Sequence, residues 1–303
     1  MSHVRVIADS RRLAWAYLLR VAQGPCASLV ALVHEEGVEA AAAVVRAGVD
    51  RRLPVELRDA VRRIDCAGSD LASMAACGAR LVTPDDDEWA GSRLSALSES
   101  DDVPPLALWV RGPASLRAVT DRAVAVIGSR APSEYGVTVA GEVSGDLAER
   151  KWTVVSGGAF GIDTAAHRAA LAAGRVTVAV VPSGLDRAYP SANRELFDDI
   201  ARTGLIISEF PPEFVPDRSS FAASARLTAA LSAATLVVEA GFRSGSVVTA
   251  RRARRLGRPV LAVPGPVTAA TSTGCNQMIR DGDAQLVTRA VDVIDAIDAS
   301  ASR

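Results

Sequence analysis

From Asp121 onward the chain alternates short β-branched runs with alanine-rich amphipathic stretches, and this alternation restricts the fold more than any other feature. Runs that are apolar throughout fit strands covered on both faces, and the helical stretches between them supply the crossovers that parallel strands need. Strands are expected at Ala123–Ile127, Thr153–Val155, Val176–Val181, Leu205–Ile207, Thr235–Val238 and Val260–Val263, with Leu106–Val110 as an added edge strand. Helices are expected at Val137–Arg150, Thr164–Ala173, Asn193–Thr203 and Ser246–Leu256. The fold class that results is α/β, a doubly wound parallel sheet.

Residues 1–78 read differently. Ala and Leu recur at three- and four-residue spacing between Gly24, Gly37 and Gly48, which predicts a small all-α bundle: Ser10–Val21, Ala27–Glu35, Val38–Ala47, and Pro54–Cys77 broken near Asp65. Residues 79–120 read as a connecting segment packed on the sheet domain of 121–289. A C-terminal helix, Ala290–Ile297, and a tail complete 290–303.

The glycines and small polar residues follow the carboxyl ends of the expected strands. They are Gly128-Ser129-Arg130, Ser156-Gly157-Gly158-Ala159-Phe160-Gly161, Pro182-Ser183-Gly184-Leu185-Asp186, Arg243-Ser244-Gly245-Ser246 and Pro264-Gly265. Ligands of open α/β sheets bind outside those ends, so five such loops converge on one crevice. Glycine lets backbone N–H groups approach a ligand, and helix N-termini favour anions, so phosphate fits the site. Arg130 offers a fork for phosphate oxygens, and Ser244 and Ser246 offer donors at a helix start. Neither G-x-G-x-x-G nor G-x-x-x-x-G-K-[ST] occurs, which disfavours NAD and P-loop ATP chemistry; no cofactor is expected.

Metal and nucleophile chemistry find little support. Cys26, Cys66, Cys77 and Cys275 form no C-x-x-C pair and read as reduced, mostly buried thiols. Asp163 and His167 share a helix face but make only two ligands, so they read as a helix-start acid and a satisfied histidine; no metal site is expected. No apolar run is long enough to cross a bilayer and the N-terminus is polar, so no membrane association is expected and the cytoplasm is the default compartment.

The 34 basic and 35 acidic residues leave a formal net charge of −1, which excludes a polyanion binder that works by bulk charge. Any such partner has to be met by a local patch. Between Ala240 and Arg280 stand seven arginines and no acid. On the Ser246–Gly257 helix, Arg251, Arg252, Arg254 and Arg255 lie opposite a face of small residues. That outer face reads either as a plain solvated surface or as a basic footprint beside the crevice.

These motifs, in their order and spacing, resemble the DNA-processing protein A family (DprA, also called Smf), whose members bind single-stranded DNA and load RecA onto it. The likeness spans about Asp121 to Val287. It is carried by Val126-Ile127-Gly128-Ser129-Arg130, Ser156-Gly157-Gly158-Ala159, Gly161-Ile162-Asp163, Ala166-His167, Gly184-Leu185-Asp186, Tyr189-Pro190, Asn193, Val238-Glu239-Ala240, Ser244-Gly245-Ser246, Val263-Pro264-Gly265 and Ser272-x-Gly274-x-Asn276. It implies an extended Rossmann-like domain used for DNA, preceded by a sterile-alpha-motif-like or helix-hairpin-helix region.

The resemblance further implies a DNA-binding set of Gly128, Ser129, Arg130, Gly157, Gly158, Arg194, Arg218, Phe221, Arg226, Ser244, Gly245 and Ser246. Arg130 matches the family's phosphate-holding arginine, and Arg218 with Phe221 its cation three positions before a stacking ring. Asn276, Ile279 and Leu286 fall in the homodimer contact, and Met278 and Arg280 where RecA docks. With 4% aromatic residues, few rings besides Phe221 are expected to meet bases, so binding should rest on phosphates and ignore sequence.

One departure stands out. Most members read Pro-x-Arg-Asn-Arg after that phenylalanine, whereas this chain reads Ala222-Ala223-Ser224-Ala225-Arg226, with fewer donors for DNA. The leading reading is a non-enzymatic single-stranded-DNA binder that loads RecA and protects the strand in homologous recombination and natural transformation. The alternatives are a nucleotide-acting enzyme like the phosphoribohydrolases, with Glu239 as general acid/base, and a RecA adaptor with weakened DNA binding.

Overall fold

The computed structural model describes residues 2–48, 53–54, 57, 66–100 and 102–302. Its centre is a sheet of nine strands in the order β1-β2-β6-β5-β4-β3-β7-β8-β9. The strands are β1 Ala79–Val82, β2 Leu108–Arg111, β3 Ala123–Ile127, β4 Thr153–Ser156, β5 Thr177–Val180, β6 Leu205–Ser208, β7 Ala234–Val237, β8 Val260–Ala262 and β9 Gln285–Leu286. Neighbours from β6 across to β9 pair in parallel, while β1 pairs with β2 and β2 with β6 in antiparallel fashion. All six expected parallel strands are present within a residue or two of their expected ends. Each is apolar because each is covered on both faces.

One face carries the helices Glu134–Glu149, Ile162–Ala172 and Ala290–Ala301 over Val124, Val126, Val154, Leu236 and Leu261. The helices Arg218–Ala230 and Gly245–Arg255 cover the other. The Arg218–Ala230 helix was not legible in the alanine-rich segment, yet it starts on a capping box: Asp217 accepts from Ser220 N, and Ser220 Oγ accepts from Asp217 N.

The N-terminal helices Ser2–Ala22, Ala27–Glu36, Val38–Ala47 and Ala67–Ala76 share one buried core with Leu81, Trp109, Val181 and Ile206 of the sheet. The helix expected over Pro54–Cys77 has its last part at Ala67–Ala76; most of its earlier part lies outside the described residues. Residues 79–111 enter the sheet itself. The expected edge strand is therefore interior, because β1 covers its free side. Of the thiols only Cys275 is buried; Cys26 and Cys77 are half-buried and Cys66 is exposed, at the ends of short helices where little packs over them.

Candidate functional site

Strands β3, β4, β5 and β6 follow one another in one direction, and the chain then returns to the other side of β3 for β7 and β8. Loops leaving such a switch point diverge and open a crevice. A cavity of about 850 Å³ lies there, lined by loops after β3, β4, β5, β7 and β8 and by one face of the Arg218–Ala230 helix. The loop after β8 contributes Ala270 and Thr271, not Pro264 and Gly265.

The glycines at this site serve packing more than ligand approach. A Cβ on Gly128 would stand 2.5 Å from Ile162 Cγ1, one on Gly157 2.6 Å from Asp163 Oδ2, and one on Gly158 2.5 Å from Phe197 Cζ. Their missing side chains let the loops settle onto the helices behind them. Ser246 is buried, and its Oγ donates to Gly128 O at 2.8 Å, tying the loop after β7 to the loop after β3. Ser244 caps the Gly245–Arg255 helix by accepting from Ser246 N.

Arg130, Arg218 and Arg243 line the cavity and are exposed, and among the described residues none forms an ion pair. The Arg130 guanidinium lies 4.8 Å from the centre of the Phe221 ring, and Phe221 meets Tyr189 edge-on at 5.9 Å. Such a cluster can hold an anion at the guanidinium and a flat aromatic group against the rings. Tyr189, Phe160 and Phe242 also line the cavity, 40%, 47% and 60% exposed. The expectation of few rings besides Phe221 is thus corrected. All three stand within the loops that follow strand ends, and that placement was the signal available in the sequence.

The cavity's one acidic lining residue, Asp163, is buried beneath Gly157 and accepts from Ala159 N at 3.3 Å. Burial pushes its carboxyl up to about 7. His167, one turn further on, is buried with Nε2 2.7 Å from Gly157 O and Nδ1 2.8 Å from Thr177 Oγ1; burial lowers it to about 4, so the ring is neutral. The pair holds the helix start, as read from the sequence. Among the described residues no group of His, Cys, Asp and Glu has the makings of a metal site. Glu239 is buried and lies outside the cavity lining. Its Oε1 accepts from Ser133 Oγ and Thr271 Oγ1, both at 2.7 Å, and its Oε2 from Ser133 N at 2.8 Å.

Several expected site residues stand elsewhere. Arg226 is 1% exposed and ion-paired at 2.7 Å with Glu209, itself 1% exposed; its Nε donates to Val103 O at 2.9 Å. It sits five residues after Phe221, roughly 140° around the helix, so it faces away from the cavity that Phe221, Ser224, Ala225 and Thr228 line. Arg194 is exposed but lines a separate cavity of about 280 Å³ with Arg111, Arg187 and Cys77. Met278 is 6% exposed, because it packs beneath the Gly245–Arg255 helix and β8. Asn276 is spent on Gly265, donating to its carbonyl at 3.0 Å and accepting from its N–H at 3.2 Å. Ile279 is half-buried; Leu286 and Arg280 are exposed, the latter paired with Asp281 at 3.0 Å.

The basic helix resolves largely as a paired surface. Arg252 bonds Asp102 at 2.6 Å, Arg255 approaches the same carboxylate at 3.8 Å, and Arg254 pairs with Asp283. Arg258 donates to the carbonyls of Ser232, Ala229 and Arg93.

Fold and site together define an extended Rossmann-like α/β protein whose cavity, at the switch point of the sheet, is lined by exposed rings and by arginines that form no ion pair among the described residues. The chain belongs to the DNA recombination-mediator protein A family (DprA/Smf), whose model matches residues 80–298. It is 48% identical to a DNA processing protein DprA of Mycobacterium tuberculosis over 300 residues, covering 95% of this chain and 76% of the relative. Against DprA of Streptococcus pneumoniae the identity is 43% over 198 residues, 65% of this chain and 68% of that one. The X-ray structure of DprA from S. pneumoniae superposes with a TM-score of 0.77 at 32% identity, over 92% of this chain and 97% of that one. A structure of Helicobacter pylori DprA, described for its single-stranded DNA binding mode, matches with a TM-score of 0.61 at 31% identity, over 71% of this chain and 94% of that one. No described helix is long and apolar enough to cross a membrane.

Proposed function

We propose that this chain is a non-enzymatic, cytoplasmic binder of single-stranded DNA that acts as a homodimer and loads RecA in homologous recombination and natural transformation. The observation that carries the reading is the Arg130 guanidinium over the Phe221 ring, beside Tyr189, inside a cavity whose arginines have no ion pair, and whose lining has no exposed acid, among the described residues. A strand presents a phosphate beside a base at each step, and a cation beside rings matches that repeat without reading sequence. Gly128, Ser129, Gly157, Gly158 and Gly245 line the path, and Arg218 stands at its wall. The H. pylori relative's single-stranded binding mode supports the same assignment. Arg226 has no part in it, and the RecA contact rests on Arg280, since Met278 is buried.

Against an enzyme, the glutamate that would act as general acid/base has both oxygens engaged by protein donors. Fluorescence anisotropy with single- and double-stranded oligonucleotides across a salt series tests the proposal. Binding is expected to favour the single strand and to weaken linearly on a log–log plot against salt. No binding at low salt, joined to RecA capture in a pull-down, would instead favour the adaptor reading.

A further inference from the structure

Phe242, in the loop after β7, is the most exposed ring of the cavity, 60% open to solvent. It lies on the ridge between two hollows. One is the 850 Å³ cavity; the other, of about 130 Å³, is floored by Val247, Ala250 and Met278 and edged by Arg251, Gln277 and two neutralised carboxylates, Asp283 paired with Arg254 and Asp281 paired with Arg280.

The charges around Phe242 have a pattern. Of the seven arginines between Ala240 and Arg280, five are committed: Arg252, Arg254, Arg255 and Arg280 to carboxylates, and Arg258 to backbone carbonyls. The remaining two, Arg243 and Arg251, are exposed and have no ion pair or hydrogen bond among the described residues. Arg243 lines the first hollow and Arg251 the second, where Arg254 also stands but is paired with Asp283. An exposed apolar ring between two uncommitted guanidinium groups is complementary to a base flanked by two phosphates. An exposed ring beside cations is no surface for an apolar protein partner, which would leave both charges desolvated and unpaired.

We propose that Phe242 is a second stacking platform, across the switch point from Phe221, and that it carries the strand out of the first cavity over the loop after β7. Arg243 and Arg251 hold the phosphates on its two sides. This rests on the single-stranded-DNA reading and adds to it a path and a direction, from the Phe221 side toward β8. The strand then leaves over the hollow edged by Gln277, close to exposed Arg280.

The test uses the full chain, an oligothymidylate and the same backbone made abasic, across a salt series. Phe242→Ala is expected to weaken binding of the oligothymidylate by about five- to a hundredfold, to leave the abasic strand unaffected, and to leave the salt slope unchanged. Phe242→Tyr should restore binding, and Arg251→Gln should lower the slope by about 0.7 on both strands. Because Phe242 and Arg251 are exposed, neither change disturbs the core. Equal losses on base-bearing and abasic strands, or wild-type affinity in Phe242→Ala, would overturn the proposal while the first cavity's role stands. A wild-type chain that binds neither strand would overturn both.

Discussion

Arg130 and Arg226 both belong to motifs that point toward DNA, yet the structure gives them opposite environments. Arg130 is exposed over Phe221 with no carboxylate partner among the described residues, whereas Arg226 is sealed against Glu209. Replacing Arg130 by alanine should remove one phosphate contact: the log–log salt slope on a single strand is expected to fall by about 0.7, measured by anisotropy, and an unchanged slope would deny it the role. Replacing Arg226 by methionine should act on stability. Burial raises the Glu209 carboxyl and Arg226 offsets this, so removing the guanidinium strands a buried acid at a cost of about 3–5 kcal/mol. Urea unfolding should show that loss in Arg226→Met and recover most of it in the double variant with Glu209→Met. Side-chain direction was the limit of the sequence here, since a motif gives spacing but a helix position decides which arginine meets solvent.

At the scale of elements, the Ile162–Ala172 helix carries two buried titratable groups with opposing effects. Asp163 keeps its proton up to about 7 when folded but releases it near 3.8 when unfolded, so between these values the folded state binds more protons and stability falls as pH rises. His167 is protonated near 6.5 when unfolded but only near 4 when folded, so from 4 to 6.5 stability rises with pH. The two slopes offset each other over that range. With only the His167 slope left, Asp163→Asn should show a melting temperature that climbs from pH 4 to 6.5, and with only the Asp163 slope left, His167→Gln should show one that declines from pH 4 to 7. Parallel profiles for all three proteins would contradict the assignment. The strands and the main crossover helices were legible because runs buried on both faces and amphipathic periods leave local marks. Strands β1 and β9 and the Arg218–Ala230 helix were not, since two short edge strands and an alanine-rich helix depend on their neighbours for burial.

At the scale of the whole molecule, the near-neutral total charge is resolved by pairing. The arginine-rich helix spends most of its charge on Asp102 and Asp283, while Arg130, Arg218 and Arg243, which have no ion pair among the described residues, stand together at the cavity, with Arg251 just beyond. The converging loops could be read from where glycines follow strands, but the ring of exposed aromatics emerged only when those loops were brought together at the switch point. The central claim is that a single strand lies in this cavity. Photocrosslinking of an oligonucleotide carrying 5-iodouracil, followed by peptide mapping, tests it most directly. Crosslinks are expected at Phe221, Tyr189 and Phe242. Crosslinks confined to the outer face of the Gly245–Arg255 helix, with none at the cavity rings, would contradict it.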